Sequence, residues 1–215
     1  MFLRHPLFSS YGIEHGFGLV SPPNNSERLV TARQVHGLDV VRVDPEGGER
    51  PEADGLWTDS PRTRVGVWTA DCLPVLFSDR RGRVACAVHA GWRGAVRGIV
   101  HEALARLKDE QGLVSSDLLV VLGPSAGRCC YQVGQEVLSE VSSRYPGFRG
   151  RETIDGHLDL PALVLHQLGN EGIPAGQTGS IDLCTICHPE LFFSHRRQGI
   201  LREGRSMINW IQTSS

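Results

Sequence analysis

The chain has 215 residues, 22 of them lysine or arginine against 24 aspartate or glutamate, for a formal net charge of -2. So balanced a composition gives no electrostatic reason to expect nucleic acid or an anionic membrane as partner, and no apolar run approaches the roughly 18 residues that suggest a membrane span. With 40% hydrophobic residues and no linker rich in Ser, Gly or Pro, residues 1–215 read as a single domain with a core of its own. The opening stretch MFLRHPLFSSYGIEHGFGLV has neither a continuous apolar segment nor a small-residue cleavage site, so the expected location is cytoplasmic. Six cysteines in that compartment read as buried small residues or as sites of metal or thiol chemistry rather than as a disulfide framework.

Apolar and β-branched runs bounded by turn residues predict strands over 29–31, 40–43, 64–69, 74–77 and 84–88. From 95 to 110, Val96, Ile99, Val100, Ala103, Leu104 and Leu107 recur at helical spacing, which predicts one amphipathic helix opening just after GWRG. A strand over 118–122 runs into GPSAGRCCYQVG. A helix over 135–144 is stopped near Pro146, and Pro161 opens another that reaches about Leu168. Strands over 179–183 and 206–211 complete the set. Several strands follow one another through short turns, so the fold class is α/β, or α+β, with mixed sheets rather than a doubly wound fold.

Three segments bring metal-capable side chains to the ends of predicted strands: QVHG with His36, TADCLPV with Cys72 and AVHAGWRG with His89. Strand ends distant in sequence can meet in space. Two imidazoles and a thiolate suit zinc, and three protein ligands leave a fourth position open, as in catalytic sites. Read singly, His36 is a turn residue, Cys72 a small buried apolar residue and His89 a core histidine bonded to a carbonyl. The long intervals between them match no short-range zinc signature, so spacing alone leaves both readings open.

The motifs QVHG, EADGLWTD, TADCLPVLFSD, AVHAGWRG, LGPSAGRCCYQVG, CT, FFSHRR and GR occur in the order and approximate spacing of the YfiH family, over residues 34–205. This family is also called the laccase-domain or multicopper polyphenol oxidoreductase family. The resemblance implies a single-domain, four-layer sandwich of mixed β-sheets flanked by helices, with one catalytic zinc held by His36, Cys72 and His89. It also implies a purine nucleoside phosphorylase that converts adenosine, inosine or methylthioadenosine and phosphate to free base and ribose 1-phosphate, with adenosine deaminase activity beside it. The chain departs from the family pattern with SHRR where SYRR is more frequent, and with GPSAG in place of GPCIG or GPAIG; neither change touches the expected ligands.

Phosphorolysis needs an anion pocket. Arg93, in a glycine-rich turn at a helix start, is the expected phosphate residue, its plainer role being a surface ion pair. Asp71 beside Cys72 is expected to orient a ligand or shuttle a proton, with a structural hydrogen bond as the plainer role. Gln34, read as sharing a strand face with His36, can hydrogen-bond a purine edge or ribose. Copper accepts the same donors and gives a laccase-like polyphenol oxidase as the alternative, but a multicopper cluster draws on many gathered imidazoles, and the nine histidines here are spread along the whole chain. A second alternative is a thiol hydrolase of cell-wall precursor amides, with Cys72 as nucleophile and His89 as base.

The run CTICH, residues 184–188, has the form of a c-type haem attachment site. Covalent attachment takes place in an exported compartment, and the family resemblance accounts for Cys184 and Thr185 as its CT motif, so haem is not expected. A second zinc on Cys129, Cys130, Cys184 and Cys187 is disfavoured at this level, because adjacent cysteines rarely both ligate one metal.

Overall fold

The structure, a computed structural model, describes residues 1–20, 29–45, 50–148, 156–199 and 205–214. Gly204 of the expected GR motif lies outside them. The segment LPVLFSD is buried at every position, as a strand covered on both faces must be. It forms β7 (Leu73–Asp79) at the centre of a six-stranded sheet, preceded in the chain by β1 (Phe2–Leu3), β2 (His15–Gly18), β3 (Leu29–Thr31), β4 (Val40–Arg42), β5 (Gly55–Thr58) and β6 (Arg64–Thr69), and followed by β8 (Ala85–Ala90), β9 (Leu118–Leu122), β10 (Thr178–Ser180) and β11 (Met207–Gln212). The larger sheet runs β10-β9-β7-β8-β5-β4 and the smaller β1-β2-β11-β6-β3; both mix parallel and antiparallel pairs.

Alternation along the strands divides the core. Val75 and Phe77 of β7, Cys86 and Val88 of β8, and Val120 and Leu122 of β9 pack with Ile99, Val100, Leu107, Leu163 and Val164 from the helices. The intervening residues Leu76, Ala85, Ala87, Leu119 and Val121 pack instead with Phe17, Val65, Val67 and Ile211 from the smaller sheet. The result is a stack of two mixed sheets with helices on the outer face of the larger. Pro74 is tolerated in a central strand because it stands at the end of the ladder: β9 pairs only from Val75 onward, and the Pro74 carbonyl accepts from Gly123 N (2.9 Å).

The helix expected over 95–110 is two helices, α2 (Trp92–Arg97) and α3 (Ile99–Gln111), α1 being Pro6–Ser10. Gly98 between them has φ 97°, a left-handed conformation that closes α2, while its carbonyl accepts from Glu102 N and starts α3. The apolar periodicity runs through the break because Val96, Ile99 and Val100 all face the same cluster. α4 (Gln135–Arg144) follows the expected bounds. α5 (Leu160–Asn170) opens one residue before Pro161, and the Asp159 side chain caps it by accepting from Ala162 N (3.0 Å). The strand expected over 179–183 is only β10, since Leu183 N turns back to Ile181 O. A short α6 (His195–Gln198) precedes β11. Among the described residues no helix is long and apolar enough to cross a membrane.

β1, α1 and β2 were not legible in the sequence. In β2 the run HGFG resembles a turn, but its glycines serve close approach: a Cβ on Gly18 would lie 2.5 Å from the Ile208 carbonyl of β11. His15 of β2 is fully buried; its Nδ1 bonds Ile13 O (2.9 Å) and its Nε2 accepts from His5 N (2.8 Å). This bonding requires the neutral ring, and burial lowers its pKa, with the Ile13 carbonyl opposing in part. A group whose folded pKa is lowered below an unfolded value of 6.5 binds its proton more readily when unfolded, so its contribution is present above that value and lost as pH falls below it. Urea midpoints of the metal-free protein are therefore expected to fall from pH 7 to pH 5, and to fall less in His15→Gln. Equal losses in both proteins would remove His15 as the cause.

Candidate metal centre and active site

Antiparallel pairing of β7 and β8 sets Pro74 opposite His89, so Cys72, just before β7, comes beside the end of β8. His36 does not share a strand with Gln34; both lie in the segment between β3 and β4, and His36 has a left-handed φ of 59°. The fully buried Asp54 holds that segment, its carboxylate accepting from Val35 N (3.1 Å), His36 N (3.0 Å) and Gly37 N (2.6 Å). The same carboxylate bonds His89 Nδ1 at 2.7 Å, and the Asp54 carbonyl accepts from His89 N. One residue thus positions both imidazoles, and in the neutral ring it directs the Nδ1 proton to itself and leaves Nε2 with its lone pair.

The ligand atoms of His36, Cys72 and His89 all lie within 4.8 Å of one another. Gly91 borders them: a Cβ there would stand 2.9 Å from His36 Nδ1 and 3.3 Å from Cys72 Sγ, so the absence of a side chain keeps the centre open. Burial by itself lowers the His89 imidazole, but the Asp54 carboxylate and the Cys72 sulfur outweigh it and raise the pKa to about 9. In Asp54, burial favours the acid, but the bonds from His89, Gly37 and Val35 win and hold the carboxyl below its ordinary range.

Gln34, His36, Cys72 and His89 line a cavity of about 310 Å³ together with Arg33, Arg50, Trp68 and Ser206. The Gln34 carboxamide is anchored on Trp68, donating to its carbonyl (2.8 Å) and accepting from its N–H (2.7 Å). Arg93 does not line this cavity; it is exposed at the start of α2, its guanidinium over the Trp92 ring. Neither do Asp71 and His195. The Asp71 carboxylate is taken up by Thr185 Oγ1 (2.6 Å), Ser194 Oγ (3.0 Å) and Arg196 N (2.7 Å). Its φ of 87° makes it, with His36, one of two non-glycine left-handed residues beside the centre, a conformation held by its surroundings. The CT and SHRR motifs thereby brace the residue before Cys72.

Sequence reasoning missed Asp54, Arg33 and Arg50. Asp54 lies inside the motif EADGLWTD, and that membership is the signal the sequence offers; nothing in the local sequence separates Arg50 from the other arginines. Cys86 is a plain core residue, fully buried. A second zinc on the remaining cysteines, 129, 130, 184 and 187, is disfavoured by their sequence positions; their sulfurs nevertheless lie within 4.8 Å of one another.

The family model described as multi-copper polyphenol oxidoreductase laccase matches residues 20–213. The chain belongs to this family. A purine nucleoside phosphorylase of Clostridium acetobutylicum is 37% identical over 170 residues, 78% of this chain and 70% of that protein. One of Mycobacterium bovis is 38% identical over 191 residues, 86% of this chain and 73% of that one. The crystal structure of YlmD from Geobacillus stearothermophilus superposes with a TM-score of 0.85 at 25% identity, covering 100% of this chain and 99% of the other. The family expected from the motifs is therefore the one matched, and its two-sheet fold is shared.

Proposed function

We propose that the protein is a zinc-dependent purine nucleoside phosphorylase acting on adenosine, inosine or methylthioadenosine. The observation that carries this reading is the convergence of two imidazoles and a thiol in the lining of a cavity that arginines also line, in a chain similar to proteins named purine nucleoside phosphorylase. The donor set fits zinc, with His36, Cys72 and His89 as ligands. When bound, the ion supplies a Lewis acid beside the substrate. Among the described residues the lining contains no third histidine, which disfavours a multicopper oxidase.

In phosphorolysis a phosphate oxygen bonds to C1′ of the ribose as the C1′–N9 bond breaks and its electron pair leaves with the purine. The chain must hold phosphate, fix the base and limit water. Arg50, on the cavity wall, takes the phosphate role first expected of Arg93; Arg33 is partly neutralised by its ion pair with Glu52. Trp68 offers a flat wall for the purine. Gln34, anchored through one hydrogen and one lone pair, retains a second of each for the base or ribose. Asp71 orients Cys72 through the backbone rather than moving a proton in the cavity. Adenosine deamination is a second reaction of the same centre, since it too requires a metal beside the base.

Purified protein supplied with zinc is expected to release free base and ribose 1-phosphate from inosine or adenosine only when phosphate is present. Arg50→Ala should lower kcat/KM for phosphorolysis by roughly 10²- to 10³-fold, the scale for losing one preorganised charge, and Arg93→Ala should leave it unchanged. The reverse pattern would move the phosphate pocket to the start of α2. Absence of phosphorolysis, with amide cleavage through Cys72 surviving a chelator, would establish the thiol hydrolase instead.

A further inference from the structure

We propose that Cys129, Cys130, Cys184 and Cys187 bind a second zinc ion as a tetrathiolate, separate from the His36, Cys72 and His89 centre. All four are free thiols, and their sulfurs lie within 4.8 Å of one another. Cys187 Sγ is 3.5 Å from Cys129 Sγ and 3.3 Å from Cys130 Sγ. A tetrahedral ion with Zn–S bonds of about 2.3 Å sets its sulfurs about 3.8 Å apart, so small shifts of these side chains complete the shell.

The backbone resolves the objection to adjacent cysteines. In an extended chain Cys129 and Cys130 would point to opposite sides. Here Cys130 N and Tyr131 N both bond back to Gly127 O (2.9 Å each), and the turn brings both sulfurs toward Cys187. On the other side, Cys184 and Cys187 have the C-x₂-C spacing of structural zinc sites. Gly127 N donates to Cys184 Sγ (3.3 Å). The Arg197 guanidinium bonds the carbonyls of Thr185 (2.9 Å) and Ile186 (2.8 Å), which places a positive charge beside the anionic cluster.

The ion would be a structural staple. It joins the segment after β9 to the CT segment, beside the isolated bridge between Ser125 and Cys184. The residue after Cys184 is Thr185, whose hydroxyl holds Asp71 next to Cys72. The staple thus supports the residue before Cys72 without taking part in the chemistry.

The test is metal content and X-ray absorption of protein purified under reducing conditions. The wild type should hold about two zinc ions per chain. Cys72→Ala/His89→Ala should retain one with a sulfur-only shell, and Cys129→Ser/Cys187→Ser should retain one with mixed nitrogen and sulfur. The wild-type measurements stand even if a variant fails to fold. A single zinc in the wild type with four alkylatable thiols left over, a disulfide among these cysteines, or iron in the four-sulfur shell would each overturn the assignment.

Discussion

Cys72→Ala, His89→Ala and His36→Ala are each expected to abolish the proposed phosphorolysis, by about 10³-fold or more, the scale on which a preorganised electrostatic group acts, with the secondary structure unchanged. Each side chain is one of three donors at a single point, and two donors hold a borderline ion far less firmly than three. The backbone around them does not depend on the side chains removed: His89 stays in the ladder of β8 against β7, and Asp54 still gathers the N–H groups of Val35, His36 and Gly37. Assay of base release alongside zinc content and circular dichroism checks this. A folded Cys72→Ala protein with full phosphorolysis and an undiminished zinc count would place the centre elsewhere.

Asp54→Ala is the substitution expected to cost most stability, about 3 to 5 kcal/mol in the metal-free protein, the range for removing one partner of a buried pair. Asp54 is 0% and His89 4% exposed, so the imidazole loses its counter-charge where water cannot replace it, and three backbone N–H groups lose their acceptor in the same step. Asn at this position keeps an acceptor for the N–H groups but not the charge, and should recover part of the loss. Zinc affinity should also fall, by roughly 10- to 100-fold for either change, because Asp54 orients the His89 ring. Urea unfolding of the three metal-free proteins measures the first effect and competition with a chelator the second. A loss of under about 1 kcal/mol in Asp54→Ala, the value of an exposed pair, would show that the loop is held by other contacts.

Much of the fold was legible because local pattern and burial agree in the larger sheet. The runs at β7, β8 and β9 are apolar on both faces and stay so in the structure, and α4 keeps its bounds because its apolar spacing and its stop near Pro146 coincide. Where the two conflict, the sequence misleads. The glycines of β2 are selected for closeness to β11, and Gly98 breaks a helix whose apolar spacing runs on without a break.

The sequence by itself determined the family and singled out His36, Cys72 and His89, the three side chains that the fold brings together, because short motifs in a fixed order survive without any knowledge of contacts. It also named the four cysteines. Tertiary structure alone decided which charges face which. Asp54 anchors the His89 imidazole and the His36 backbone together because the start of β5 lies beside the end of β8, and Arg50 rather than Arg93 borders the cavity. Likewise a turn at Gly127 aims two adjacent sulfurs at a third, 57 and 58 residues away. These are relations between chain segments distant in sequence, set by strand register and turn geometry, and neither residue spacing nor composition encodes them locally.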